Sequence, residues 1–327
     1  MNGSIAAALR GTGCSVPERV IPNDWFTNYV DTSDEWIRTR TGIRERRYVG
    51  PDETASTLAV TAARNALVAA ELDPKDLDLI LCATVTPDHM CPSTACIVQG
   101  ALGCRPIPAM DISAACTGFL YAMSTGEQFL RTGAAKKVLV VGTDVLSRTI
   151  DLTDRNTCIL FGDGAGAVVM TPTDTPDHGI RSIKLYSDGA AARLVHLPGK
   201  VTLQPPAGEK QHEHIWLNGR EVFKFAVRRM IELTQDAIQD CQAMGVNIDL
   251  LIPHQVNQRI IDAALETIGF PASKVMVNLA KYGNTSAASI PIALDEAMRA
   301  GRAKPGDTIL LVAFGGGLTW GSAIITL

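Results

Sequence analysis

The apolar positions of this chain fall into strand-length runs separated by stretches of helical spacing. Residues 3–13, which end in glycines, predict an opening strand. Between Thr54 and Leu72, Leu58, Ala62, Ala66 and Ala69 recur every three or four residues, which predicts a helix with one buried face. Asp78–Thr86 has an unbroken apolar centre and predicts a buried strand; the loop TPDHMCPS follows, and a further helix begins near Ser93. The run RPIPAMDIS leads through DISAACTGF into a small-residue helix, TGFLYAMSTGEQFL. Lys137–Thr143 predicts another buried strand, and Asp151–Phe161 is irregular and polar. From Thr171 to about Glu213 proline and glycine concentrate, as in loops. Asn218–Met244 predicts a long helix with Val222, Ala226, Met230, Leu233, Ala237 and Cys241 on its apolar face.

The plan then repeats. The strand at Leu79–Thr86 has a counterpart at Leu250–Asn257, and the strand beginning at Lys137 has one beginning at Thr308, each about 171 residues later. The unit around Cys116, ending in RTG at 131–133, resembles VMVNLAKYGNTSAASIPIALDEAMRAG, which ends in RAG at 299–301, an offset of 168. These matches predict two similar α/β halves, residues 1–172 and 173–327, joined near 172–215. Equivalent strand ends would meet near a pseudo-twofold axis, bringing Cys116 of one half close to Asn284 of the other.

Composition narrows the function classes. The 327 residues are 46% hydrophobic and 20% charged, ordinary for a globular α/β chain able to bury a large core. A net charge of −4 argues against general nucleic-acid binding. The apolar runs are too short to cross a bilayer, and the first residues lack the basic start of a secretion signal. Eight scattered cysteines without CxxC pairs then read as reduced cytoplasmic thiols.

Candidate chemistry centres on Cys116, where a strand turns into a helix. Unpaired N–H groups and the positive end of the helix dipole favour a thiolate there. Ala114, Ala115, Thr117 and Gly118 leave room for a substrate. Taken alone, the segment reads more readily as a buried, inert cysteine than as a nucleophile. His254 closes a strand in LIPHQVN, and Asn284 sits in YGNTSAAS; singly, they read as a hydrogen-bonded core histidine and a helix cap. Together with Cys116 they form a nucleophile, an imidazole and an amide donor. Gly315–Gly317 add a strip whose backbone N–H groups can approach a reacting carbonyl. Asp31–Arg47, rich in Arg with Trp36 among them, reads as a short surface helix and loop: either a solvated segment or a clamp for a phosphate-bearing aromatic ligand. Arg220, Lys224 and Arg228 form either a solvated stripe or a dock for an acidic protein. Gly162–Gly166, GDGAG, precedes a strand rather than a helix, so it reads as close backbone packing and not as a dinucleotide loop. His212 and His214 flank Glu213 without a further ligand, and no metal site is expected there.

DTSDEWIRTRTGIRERR, DISAACTGF, HQVN, YGNTSAAS and AFGGGLTWGSA, in that order, resemble β-ketoacyl-acyl carrier protein synthase III, the initiating condensing enzymes of fatty acid synthesis. The likeness runs nearly end to end. It implies a thiolase-like duplicated fold of five layers, α/β/α/β/α, in a homodimer. The implied reaction condenses an acyl-CoA primer with malonyl-acyl carrier protein to a 3-oxoacyl product, with no metal or redox cofactor. By motif, Cys116 accepts the acyl group and His254 and Asn284 complete the triad. The N–H groups of Cys116 and Gly316 make the oxyanion hole. Trp36 and Arg155 sandwich the CoA adenine, Arg40 and Thr41 belong to the same segment, and Asn257 lines the pantetheine path. Lys224 and Arg259 match carrier-protein docking positions.

Two departures stand out. Cys91 replaces the Phe that often closes the acyl pocket, which implies tolerance of primers beyond acetyl. Arg220 replaces a common Asn near the tunnel mouth. Three rival readings remain at this stage. A Cys-His-Asn hydrolase would release free acid. A non-catalytic partner subunit usually lacks the nucleophile. A specialised synthase of secondary metabolism, using other acyl groups or malonyl-CoA, would carry the same triad.

Overall fold

The computed structural model describes residues 6–199 and 213–327. Two sheets of matching plan dominate it. The first runs in the order Ala6–Ser15, Asp163–Thr173, Val138–Val145, Leu79–Ala83, Ala109–Ile112. The second runs Gly179–Ser187, Thr319–Thr326, Thr308–Gly315, Leu250–Pro253. In each, the first three strands pair antiparallel and the next joins in parallel. A single parallel bridge from Leu251 to Val275 stands where the first sheet has its fifth strand.

Side-chain alternation along the central strands divides them between two cores. Leu79, Leu81, Val138 and Val140 face one cluster, with Leu250, Ile252, Ile309 and Leu311 from the second sheet. That cluster also holds Phe119, Leu120, Met123, Ile290 and Leu294. Helices Gly118–Arg131 and Ser289–Arg299 therefore lie between the sheets. The alternate residues Ile80, Cys82, Leu139 and Val141 face helices Ala55–Ala70 and Thr94–Leu102. Leu251, Leu310, Val312 and Phe314 face helices Gly219–Ala243 and Gln258–Ile268. Helix, sheet, helix, sheet, helix makes five layers, as the resemblance implied. Each such aliphatic side chain, fully withdrawn from water, contributes about 1.5–3 kcal/mol. Strands buried on both faces read as unbroken apolar runs, which is why these were visible in the sequence.

Several boundaries differ from expectation. The opening strand occupies Ala6–Ser15; residues 3–5 lie outside the described residues. The Thr171–Glu213 stretch is not loop throughout. Asp163–Thr173 reaches into it, and Gly179–Ser187 is the edge strand of the second sheet. That strand is half-exposed over most of its length, so polar residues interrupt its pattern and hide it. The segment after Asp31 holds a helix, Asp34–Thr41, capped by the Ser33 hydroxyl and closed by Gly42 at φ +82°. Glu45–Arg47, read as loop, pairs with Val20–Pro22.

The 168-residue offset of the Cys116 unit is also corrected. Its helix begins at Gly118 and the counterpart at Ser289, and both follow a turn containing a left-handed non-glycine residue, Ala115 at φ +47° and Ser286 at φ +51°. Both features are 171 residues apart. The second helix has 11 residues against 14, which accounts for the shorter offset at the C-terminal ends.

Candidate active site

Cys116 lies in the turn Ala115–Thr117 that links the edge strand Ala109–Ile112 to the central helix. The second half pins this turn. Thr319 donates its hydroxyl to Ala114 O at 3.1 Å, and the Thr117 hydroxyl donates to Thr319 O at 3.3 Å. Gly315 lies so close that a methyl group there would fall 2.8 Å from the Cys116 nitrogen. Gly316 lies beside Ala115, its own Cβ position 3.6 Å from that side chain. The glycine strip is therefore a close approach of backbone to Cys116.

The thiol is not the depressed group expected from a helix terminus. Burial pushes it up to about 12; a hydrogen bond with the Ser286 side chain opposes this, and the charge of Asp144 adds to it. Low-dielectric surroundings disfavour the thiolate more than the short turn favours it. Asp144 is itself fully buried and takes hydrogen bonds from Thr84, Val85, Thr86 and Ala287. Burial still raises its pKa.

His254 ends the strand Leu250–Pro253 and is 1% exposed. Its Nδ1 is 2.7 Å from the Ser289 Oγ, which also accepts the Gln255 N–H at 3.5 Å. Where the Ser289 hydroxyl donates to Nδ1, the ring hydrogen sits on Nε2. Burial lowers the imidazole pKa to about 3, so the ring is neutral.

Asn284 is not a helix cap. Its backbone is registered against another strand end, donating to Leu160 O and accepting from Gly162 N, both at 2.9 Å. Its Oδ1 accepts the Ser286 N–H at 2.8 Å. This leaves the Nδ2 donors without a partner among the described residues, as is the case for His254 Nε2. Gly162 earns its place here: a methyl group on it would fall 2.1 Å from Tyr282 O. The GDGAG run is thus close backbone packing, as the sequence suggested. One short turn, residues 284–289, touches all three side chains. It carries Asn284, bonds His254 through Ser289, and meets the Cys116 thiol through Ser286.

The remaining candidates divide. Arg155 and Arg40 bring their guanidinium carbons to 4.7 Å and 5.7 Å from the Trp36 ring centroid. Arg155 Nη1 also donates to Asp31 O at 2.9 Å. Asn257 donates from Nδ2 to Arg40 O at 3.2 Å, so it joins this group. Thr41 does not: it is 2% exposed, and its hydroxyl serves Ile37 O and Ile43 N at the helix end. Cys91 is also separate from the site within one chain. It is exposed, on a loop that Asp88 ties outward to Thr54 and Ser56. Lys224 and Arg259 share one face, Arg259 lying 5.9 Å from the ring of Phe223. Beside them Phe223, Val227, Arg228, Ile231 and Glu232 line a groove of about 520 Å³. Arg220 and His214 are exposed, and His212 lies outside the described residues.

Sequence reasoning missed Asp144, Ser286, Ser289 and Gln255. Ser286 and Ser289 stood in the quoted YGNTSAAS run, but small residues at a helix start look like packing. Among the described residues no cluster of His, Cys, Asp or Glu could hold a metal, and no helix is long and apolar enough to cross a membrane.

Comparison with known proteins follows this geometry. Family models for 3-oxoacyl-[acyl-carrier-protein] synthase III match residues 110–189, and for its C-terminal part residues 240–327. A β-ketoacyl-[acyl-carrier-protein] synthase III of Caldanaerobacter subterraneus is 49% identical over 324 residues, 98% of either chain. The solved 3-oxoacyl-[acyl-carrier-protein] synthase III of Aquifex aeolicus superposes with a TM-score of 0.90 at 46% identity, covering 98% of this chain and 100% of that one. The Thermus thermophilus enzyme gives 0.92 at 44% identity, covering 98% and 99%.

Proposed function

Because the chain belongs to the β-ketoacyl-[acyl-carrier-protein] synthase III family, a thiolase-fold family of condensing acyltransferases, we propose that Cys116 carries the acyl primer as a thioester. The first substrate is an acyl-CoA and the second malonyl-acyl carrier protein. The observation that carries this reading is that His254 Nε2 and Asn284 Nδ2 have no partner among the described residues, and that the turn meeting the Cys116 thiol carries Asn284 and bonds His254 through Ser289.

In the first half-reaction the Cys116 sulfur attacks the thioester carbonyl, and CoA leaves as the thiol, taking the proton. One thioester replaces another, so the step is nearly balanced. The N–H groups of Cys116 and Gly316 hold the tetrahedral oxyanion. In the second, the bond from malonyl carbon to CO2 breaks and its electrons move onto the thioester oxygen. Neutral donors at His254 and Asn284 hold that enolate; losing one such donor costs about 3–4 kcal/mol. The enolate carbon then attacks the acyl-Cys116 carbonyl and expels the thiolate. These steps call for no metal or redox cofactor.

The neighbouring features take supporting roles. Adenine binds between Trp36 and Arg155, with Arg40 and Asn257 along the CoA path. Since Arg155 already rests on the indole, the base enters by displacing it. The carrier protein, an acidic partner, docks at Lys224 and Arg259. The chain works as a homodimer in the cytoplasm, built of halves 1–172 and 173–327. In support of the dimer, the first sheet ends on Ala109–Ile112, an edge without a further strand among the described residues, which leaves Met110 38% exposed. The dimer also gives the exposed Cys91 a route to an acyl pocket that its own chain does not offer.

Intact-mass measurement after exposure to a panel of acyl-CoAs tests the reading. Acyl groups should load on the unmodified protein and not on Cys116→Ala. His254→Ala should load yet decarboxylate malonyl-carrier protein at least a hundredfold more slowly, in line with about 3–4 kcal/mol. Normal decarboxylation by His254→Ala would overturn the role given to that residue.

A further inference from the structure

Arg46 is wholly buried, the largest such side chain among the described residues. Among the described residues no carboxylate lies within 4 Å of its guanidinium. Instead Nη1 donates to Asn23 Oδ1 at 2.8 Å and to Ile21 O at 3.2 Å, and Nη2 donates to Ile159 O at 2.6 Å. The plane lies 4.6 Å from the Phe26 ring centroid, and Nε has no acceptor. A cation held this way is expensive compared with an apolar side chain of equal volume. Core packing alone does not explain it.

What the guanidinium holds is the turn leading into the strand Asp163–Thr173, against which Asn284 is registered. Ile159, which accepts from Nη2, is followed by Leu160, whose carbonyl accepts the Asn284 N–H. Gly162 donates back to Asn284 O, and Phe161 and Asn284 form a parallel bridge. The stem of Arg46 completes the support. Its Cβ lies 3.1 Å from where a methyl on Gly162 would be, and 3.3 Å from the same position on Gly283. Gly283, just before Asn284, is at φ +64°. Two residues back along the chain, Arg44 N donates to Ala280 O at 3.0 Å, fixing the other end of the same segment. The guanidinium, the segment 159–162 and the backbone of Asn284 are thus joined by hydrogen bonds across the two halves.

We propose that Arg46 is a positioning residue for the decarboxylation half-reaction, setting the Asn284 carboxamide where the enolate develops. It touches no substrate. The inference rests on the reading of Asn284 given above and adds what aims that group. Lys cannot replace it, because a single ammonium cannot span Asn23 and Ile159 from opposite edges of a planar fork. A displacement of about 1 Å at a catalytic donor costs up to about a hundredfold in rate.

The test compares two rates in one preparation: acyl loading of Cys116 at saturating acetyl-CoA, and decarboxylation of malonyl-carrier protein per loadable Cys116. Arg46→Lys should load within twofold of the unmodified protein and decarboxylate at least tenfold more slowly. Asn23→Ala, which removes one acceptor and leaves the cation, should show the same split to a smaller degree. It decides the matter should Arg46→Lys fail to fold. Asn284→Ala is the reference. If it decarboxylates normally, the role of Asn284 falls and this inference with it. If it is impaired while Arg46→Lys and Asn23→Ala behave normally, the inference about Arg46 alone is overturned. A parallel fall of loading and decarboxylation in the Arg46 and Asn23 variants also overturns it, since that is the mark of general destabilisation.

Discussion

At the level of single residues, burial governs the chemistry of both ionisable members of the triad. It pushes the Cys116 thiol up and the His254 imidazole down, so each rests uncharged. With the thiol pushed up to about 12, the protein carries the neutral thiol at pH 7. Alkylation of the free protein by iodoacetamide should therefore be slow at pH 7 and rise about tenfold per pH unit, without a plateau below pH 9. A plateau near pH 7 would mean a depressed thiol and a helix terminus stronger than desolvation. The sequence indicated which cysteine to examine, from its small neighbours and its place at a helix start. It did not indicate the charge state, because that depends on how much apolar matter from the second half closes over the sulfur. Ser289 makes the same point: nothing in YGNTSAAS says which serine reaches an imidazole 35 positions earlier in the chain.

At the level of elements, glycines set how closely the halves approach. Gly142 lies in a strand buried throughout, and a methyl there would fall 2.3 Å from Ala287 O, in the turn that carries Ser286. Gly142→Ala should lower stability by about 2–3 kcal/mol, read as a shift of the urea midpoint at unchanged slope. It should also slow condensation, since the turn it displaces touches all three triad residues. Gly245 offers the contrast: a methyl there meets open space, although φ is +71°. Fully buried strands announced themselves by composition, and the Ala55–Ala70 helix by its spacing. The edge strand Gly179–Ser187 and the small pair Val20–Pro22 with Glu45–Arg47 did not. Their pairing is decided by distant partners, and half-exposed residues carry little periodic signal.

For the molecule as a whole, duplication explains why one site draws on both halves. Each central helix begins at a turn bent through a left-handed residue, and the two turns meet where Gly118 lies 3.7 Å, at its Cβ position, from Ala287. One turn bears Cys116; the other follows Asn284 and bonds His254 through Ser289. The exposed edge at Ala109–Ile112 runs directly into the nucleophile turn, so a second copy would brace the site from outside. If the proposed dimer pairs over this edge, Met110→Asp should give a monomer in light scattering and reduce condensation, with little loss of secondary structure. Unchanged mass would remove this edge as the interface.

The sequence by itself determined the order of buried strands and singled out Cys116, His254 and Asn284 as candidates, because period, turn residues and motif order are local. Tertiary structure decided the neutral state of Cys116 and His254, the burial of Thr41, the exposure of Cys91, and the hydrogen bonds that link Arg46 to the Asn284 segment. Each of those depends on which distant atoms exclude water or offer a hydrogen bond, and no local pattern encodes that.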